Sequence, residues 1–121
     1  MKKNKASVMI NGIEYVPATD IKVVNVEGME YKIVRTDSAG VFAGYVESRK
    51  GKEAVLRNVR RLWYWEGAAT LSQLATDGVS KPDLCKFPCE VNKIELTGVI
   101  EVLDCTAKAK QSIDSVSIWS A

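Results

Sequence analysis

The sequence contains no histidine. That absence excludes Ser-His-Asp and Cys-His catalysis, imidazole metal ligands and the usual proton switch near neutral pH. Cysteine is scarce, with Cys85, Cys89 and Cys105 making an odd set. No histidine completes a tetrahedral site and the spacing matches no standard zinc pattern, so the three are expected as buried thiols in a reducing compartment, with no metal. No apolar run approaches the roughly eighteen residues of a membrane helix. The start Met1-Lys2-Lys3-Asn4-Lys5 leads into a strand-like segment, not a signal-peptide apolar region. A cytoplasmic protein without a membrane partner is expected. Net charge is also missing, since 17 Lys and Arg against 15 Asp and Glu leave only +2. The whole molecule is therefore no polycation built to coat nucleic acid, and anion chemistry must be local. A Gly-rich phosphate loop of the Walker or dinucleotide kind is absent too, and no cofactor is expected.

What is present is one soluble domain over residues 1–121, 46% hydrophobic and 26% charged, too short for two separate cores. Val8-Met9-Ile10 and Ile13-Glu14-Tyr15-Val16 flank Asn11-Gly12, which supplies the positive φ of a tight hairpin turn. Ile21 to Val26 and Tyr31 to Arg35 are further β-type runs, the second ending at the turn Thr36-Asp37-Ser38-Ala39-Gly40. Val41 to Glu47 and Glu53 to Asn58 surround Ser48 to Lys52, which predicts a second hairpin with a longer, basic loop. The strand is expected to run on to Trp65. Alternation by two then puts Val55, Arg57, Val59, Arg61, Trp63 and Trp65 on one face. Ala68 to Ala75 has helical spacing and stops at Asp77-Gly78; Phe87 to Leu96 and Val99 to Cys105 read as strands, and Thr106 caps a small helix through Ile113. The sum is a strand-dominated α+β domain, sandwich-like, with antiparallel hairpins and two short helices.

Between Arg49 and Arg61 six basic residues meet one acid, Glu53, a local charge of +5 on a nearly neutral chain. Arginine grips phosphate oxygens in pairs, and Trp63, Tyr64 and Trp65 follow at once with faces that stack on purines. Phosphate grip plus base stacking describes a nucleotide site; core filler and solvated loop lysines are the plain alternative. Tyr64 and Trp65 suit packing, whereas Arg57, Arg61 and Trp63 suit a ligand, because charge in mid-strand is costly to hold without an anion. Asn92 lies in a strand where asparagine is disfavoured, so its amide either reads a base edge or bonds backbone at a bulge. Asp37, after Arg35 and Thr36, either accepts from ribose hydroxyls or caps its turn. The acids form no recognisable pair and the cysteines lack a base, so binding without turnover is the simpler account.

The segment Arg35 to Phe42, the run Leu56-Arg57-Asn58-Val59-Arg60-Arg61-Leu62-Trp63-Tyr64-Trp65-Glu66-Gly67-Ala68-Ala69, Leu71 to Ala75 and the terminal Ile118-Trp119 resemble small phage proteins of the first Thoeris anti-defence family. The likeness spans about residues 31–119, and the Arg-Arg-Leu-Trp-Tyr-Trp block is its specific part. It implies a sponge in the host bacterial cytoplasm that holds glyco-cyclic ADP-ribose made by TIR-domain immune enzymes without cleaving it. It also implies a homo-oligomer, a dimer or a higher assembly such as a hexamer, with cyclic oligonucleotide signals at a separate site. The ligand set expected is Arg57, Asn92, Arg61, Trp63, Arg35, Asp37 and Phe87, with no catalytic residue. The rival is a small β-rich nucleic-acid-binding module that uses the same basic, aromatic face. A phage assembly protein that binds only protein is a third reading.

Overall fold

The computed structural model of the chain describes residues 8–10, 13–15 and 23–121. β1 (Val8–Ile10) and β2 (Ile13–Tyr15) pair antiparallel, Val8 opposite Tyr15, as the hairpin signal predicts. The Asn11-Gly12 turn itself lies outside the described residues, as do Ile21 and Lys22. The rest of that run forms no strand: Val24 makes an isolated bridge to Glu30 around a loop that Asn25 organises. Its Oδ1 accepts from the N–H groups of Glu27 (3.1 Å) and Met29 (2.9 Å).

The main sheet holds β3 (Glu30–Thr36), β4 (Val41–Lys50), β5 (Glu53–Arg61), β6 (Val91–Leu96) and β7 (Val99–Asp104), all antiparallel, in the order β6-β5-β4-β3-β7. The β4–β5 connection is tighter than the sequence predicts, because the strands pair out to Lys50 opposite Glu53 and Gly51 takes φ 59°. The strand expected to reach Trp65 ends at Arg61; Tyr64 makes only an isolated bridge to Lys86, and Phe87 only one to Ile118.

β6 and β7 lie at opposite margins of the sheet, yet only Thr97 and Gly98 separate them in sequence. The sheet must therefore roll until its margins meet at that turn, as in a small, partly open barrel. Backbone bonds lace the meeting point: Val99 N–H donates to Lys52 O and Asp37 N–H to Gly98 O, both at 2.9 Å. Inside the roll, Ile94 and Leu96 from one margin and Val99 and Val102 from the other pack with Val34, Phe42, Leu56 and Val59.

The outer face is closed by helices. α1 (Leu71–Asp77) is capped by Thr70 and α2 (Ala107–Ser115) by Thr106, each hydroxyl accepting from the backbone N–H three residues on. Leu74 and Ala75 of α1 and Ala109 and Ile113 of α2 pack on Tyr31, Ile33 and Ala43. Thr106 also donates to Thr76 O (2.6 Å), which ties the helices together. The α+β domain of antiparallel strands with two short helices is therefore the one that the residue pattern predicts. No helix among the described residues is long and apolar enough to cross a membrane.

Candidate functional site

The site begins with a break in alternation. Tyr45 pairs with Arg57 and Ala43 with Arg60, so Gly44 alone on β4 faces both Asn58 and Val59 on β5. Two residues against one is a β-bulge. Asn58 has φ 46°, the single left-handed non-glycine among the described residues. Gly44 is required opposite, because a Cβ there would lie 2.7 Å from Val59 Cβ. Directly paired residues share a face. Arg57 therefore sits on the Tyr45 side, outside the roll, and Arg61 on the Phe42 side, its guanidinium 4.8 Å from that ring. This corrects the expectation that Arg57 and Arg61 share one surface: alternation holds only until the bulge.

The arginines accordingly line different clefts. The first, about 370 Å³, is lined by Arg57 and Asn58 of β5, Asn92 of β6, and Asn25, Glu27 and Met29 of the loop before β3. Arg57 Nε donates to Glu47 Oε1 at 2.6 Å, and that bond holds the Glu47 carboxyl below the usual carboxylate range. Asn58 Nδ2 donates to Glu90 Oε2 at 3.2 Å. The amide of Asn92 makes no hydrogen bond among the described residues, so it is not the backbone-bonded bulge residue of the plain reading. The cleft thus offers one cation, one carboxylate (Glu27) and the amides of Asn25 and Asn92. These groups suit a ligand with a single gripped phosphate, hydroxyls and a flat hydrogen-bonding edge.

The second cleft, about 350 Å³, joins Arg61, Trp63 and Trp65 to the Ser38–Gly40 turn. Trp63 and Trp65 are here and not beside Arg57, whose cross-strand aromatic neighbour is Tyr45. Trp63 is 58% exposed and stacks on Trp119 at 4.9 Å and 18°, with Lys86 Nζ over both rings and over Tyr64.

The other expected residues lie elsewhere. Arg35 pairs with Glu101 across β3 and β7 at 3.1 Å. Asp37 serves its turn: it accepts from Ser38 Oγ at 3.1 Å and lies so close to Gly98 that a Cβ there would be 2.4 Å from Oδ1. Phe87 is fully buried and offers no face to a ligand, because the core around Leu74 and Ile113 encloses its ring. Cys85 and Cys105 are buried, but Cys89 is exposed, since it follows Pro88 onto the open approach to β6. Among the described residues no group of acids and cysteines is placed to hold a metal.

Sequence reasoning missed Asn25, Glu27, Met29 and Asn58. For Asn58 a signal existed: asparagine tolerates left-handed backbone better than any β-branched residue, and this one interrupts a basic strand. The profile of a family described as a domain of unknown function, DUF6948, matches residues 29–113. No curated protein and no solved structure matches the chain.

Proposed function

The chain belongs to the DUF6948 family, a domain of unknown function, and from the first cleft we propose that it binds a cyclic ADP-ribose-type signal and sequesters it without cleavage. The observation that carries this reading is that Arg57 and Asn92, distant in sequence, meet in one cleft with Asn25, Asn58 and Glu27. Arg57 keeps its terminal guanidinium nitrogens for a phosphate while Glu47 holds Nε. The amides of Asn25 and Asn92 meet the base edge, that of Asn58 being bonded to Glu90, and Glu27 accepts from ribose hydroxyls. The resemblance of the Arg-Arg-Leu-Trp-Tyr-Trp block supplies the class of signal, glyco-cyclic ADP-ribose, and the host bacterial cytoplasm as its place of action. Sequestration works by mass action, and nanomolar binding needs about 12 kcal/mol. A cleft open on one side supplies that poorly, so a second copy of the chain is the proposed partner, and the exposed Trp63–Trp119 stack is the surface that favours it. A separate site for cyclic oligonucleotides belongs to the same proposal.

The test is calorimetric titration with cyclic ADP-ribose isomers, followed by heat release and mass analysis. Unchanged ligand is expected; linear ADP-ribose would make the protein an enzyme. Arg57→Ala and Asn92→Ala are each expected to weaken binding at least tenfold with the fold intact, and unaltered affinity in both would remove this site. The stacked tryptophans beneath Lys86, with Arg49, Lys50 and Lys52 on the β4–β5 hairpin, favour a second reading as a nucleic-acid-binding module. That reading requires affinity to fall by orders of magnitude with added salt, whereas a compact ligand held by one arginine responds weakly.

A further inference from the structure

The bulge in β5 does more than spoil alternation. It lies between the pairs Arg57–Lys93 and Val59–Val91, so Asn58 sits across from Asn92, and both line the first cleft. Its left-handed backbone is the local feature that lets Arg57 share the Tyr45 side while Val59, two residues on, packs inside the roll over Gly44. An unbulged strand would put Arg57 and Val59 on the same side. Either Val59 would leave the inner core or Arg57 would be drawn toward it, away from Glu47. The core holds Val59 fully buried, so the arginine is the group that would move. Bulges beside binding sites re-aim side chains in this way, and backbone held in a sparsely populated region gathers where a site requires it.

We infer that Asn58 is a positioning residue of the cleft: its left-handed backbone, seated by Gly44 and Val59, aims the Arg57 guanidinium at the ligand. The ligand assignment rests on the proposed function; the aiming of Arg57 does not. Glycine adopts this φ freely and a β-branched residue resists it, so backbone and side-chain roles separate cleanly.

The experiment compares Asn58→Val, Asn58→Ala and Asn58→Gly with the parent protein and with Arg57→Ala. It uses two readouts, the dissociation constant for cyclic ADP-ribose and the NMR titration of the Glu47 carboxyl. In the parent, Arg57 holds that carboxyl low, and Arg57→Ala gives the released value. Asn58→Val is expected to weaken binding at least tenfold and to move Glu47 toward the released value, while Asn58→Gly stays within about threefold of the parent with Glu47 still low. Should Asn58→Val fail to fold, Asn58→Ala carries the comparison, with a smaller shift in the same direction in both readouts. The inference is overturned by a valine or alanine variant that leaves Glu47 at its parent value, or by a glycine variant that loses as much as they do. Arg57→Ala with unchanged affinity, alongside the expected Glu47 pattern, would sink the ligand assignment and leave the positioning role standing.

Discussion

At the scale of single residues, the most telling groups are buried protons. Tyr31 is 5% exposed, edge-on to Tyr45 at 5.2 Å, with Lys110 Nζ 5.2 Å from its ring. Burial pushes its phenol well above the ordinary range, and burial pushes the Cys105 thiol from 9.0 up to about 12. Both values are raised relative to the unfolded chain, so the stability that these groups contribute is fully present below pH 9 and is lost as pH climbs through the thiol and phenol ranges. In that window the unfolded chain has released protons that the folded one retains, and each group adds up to about 1.4 kcal/mol per pH unit. Urea midpoints are therefore expected to fall between pH 9 and 10.5 without a change in slope against urea. Cys105→Ala is expected to flatten the decline near pH 9, where the thiol titrates first, and an unchanged profile would show the thiol to be uninvolved. The sequence makes the chemistry of individual residues legible: Arg57 and Asn92 stand out as polar residues in strand positions and meet in one cleft. It does not make burial legible, which is why Phe87 was nominated too and Cys89 was expected inside.

Elements were readable where pattern decides them and unreadable where contacts do. The first helix starts only at Leu71, behind a Thr70 cap, and not at Ala68 as its spacing suggests, whereas its stop at Asp77-Gly78, the Thr106 cap and the turn at Ser38–Gly40 follow from local chemistry. The bulge does not, because it depends on Gly44 of a neighbouring strand leaving room for Val59. Neither does the role of Arg60. It belongs to the basic run that suggested an anion site, yet it is 8% exposed and meets carbonyls instead. Nε donates to Pro88 O (2.8 Å), Nη1 to Ile113 O (2.8 Å), and Nη2 to Phe87 O (3.1 Å) and Val116 O (2.7 Å), with the guanidinium 5.5 Å from the Phe87 ring. One side chain thus joins β5 to the segment before β6 and to the end of α2. A charge-assisted bond contributes about 1.5–3 kcal/mol, and orphaning buried carbonyls adds to the loss. Arg60→Met, similar in bulk, is expected to lower unfolding free energy by about 3–5 kcal/mol in urea titration, whereas Arg61→Met, whose guanidinium only covers Phe42, should cost less than about 1 kcal/mol. Equal losses would refute the structural role given to Arg60.

At the scale of the molecule, a roll of five strands with helices on its outer face leaves two tryptophans, Trp63 and Trp119, exposed among the described residues. Arg60 holds the chain after α2, where Ile118 bridges Phe87 and Trp119 N–H donates to Phe87 O at 3.0 Å. That course lays Trp119 on Trp63 and leaves their chain neighbours Tyr64 and Ile118 exposed with them. Large exposed aromatics are enriched where proteins meet partners, and a pair already stacked loses little side-chain freedom on docking. Lys86 brings positive charge to the rings and Glu66, accepting from Tyr64 at 2.7 Å, brings negative charge. A two-fold axis can therefore set each charge of one copy against its opposite in the other. Sedimentation at tens of micromolar is expected to show a species of twice the chain mass. The double variant Trp63→Ser with Trp119→Ser should return it to a monomer while its circular dichroism below 230 nm keeps the parent shape. If the Arg57 cleft is completed by the second copy, the same variant loses affinity for the proposed ligand although neither tryptophan lines that cleft. A monomeric parent that binds ligand fully would instead assign the cleft to a single chain and leave the tryptophan stack with some other partner.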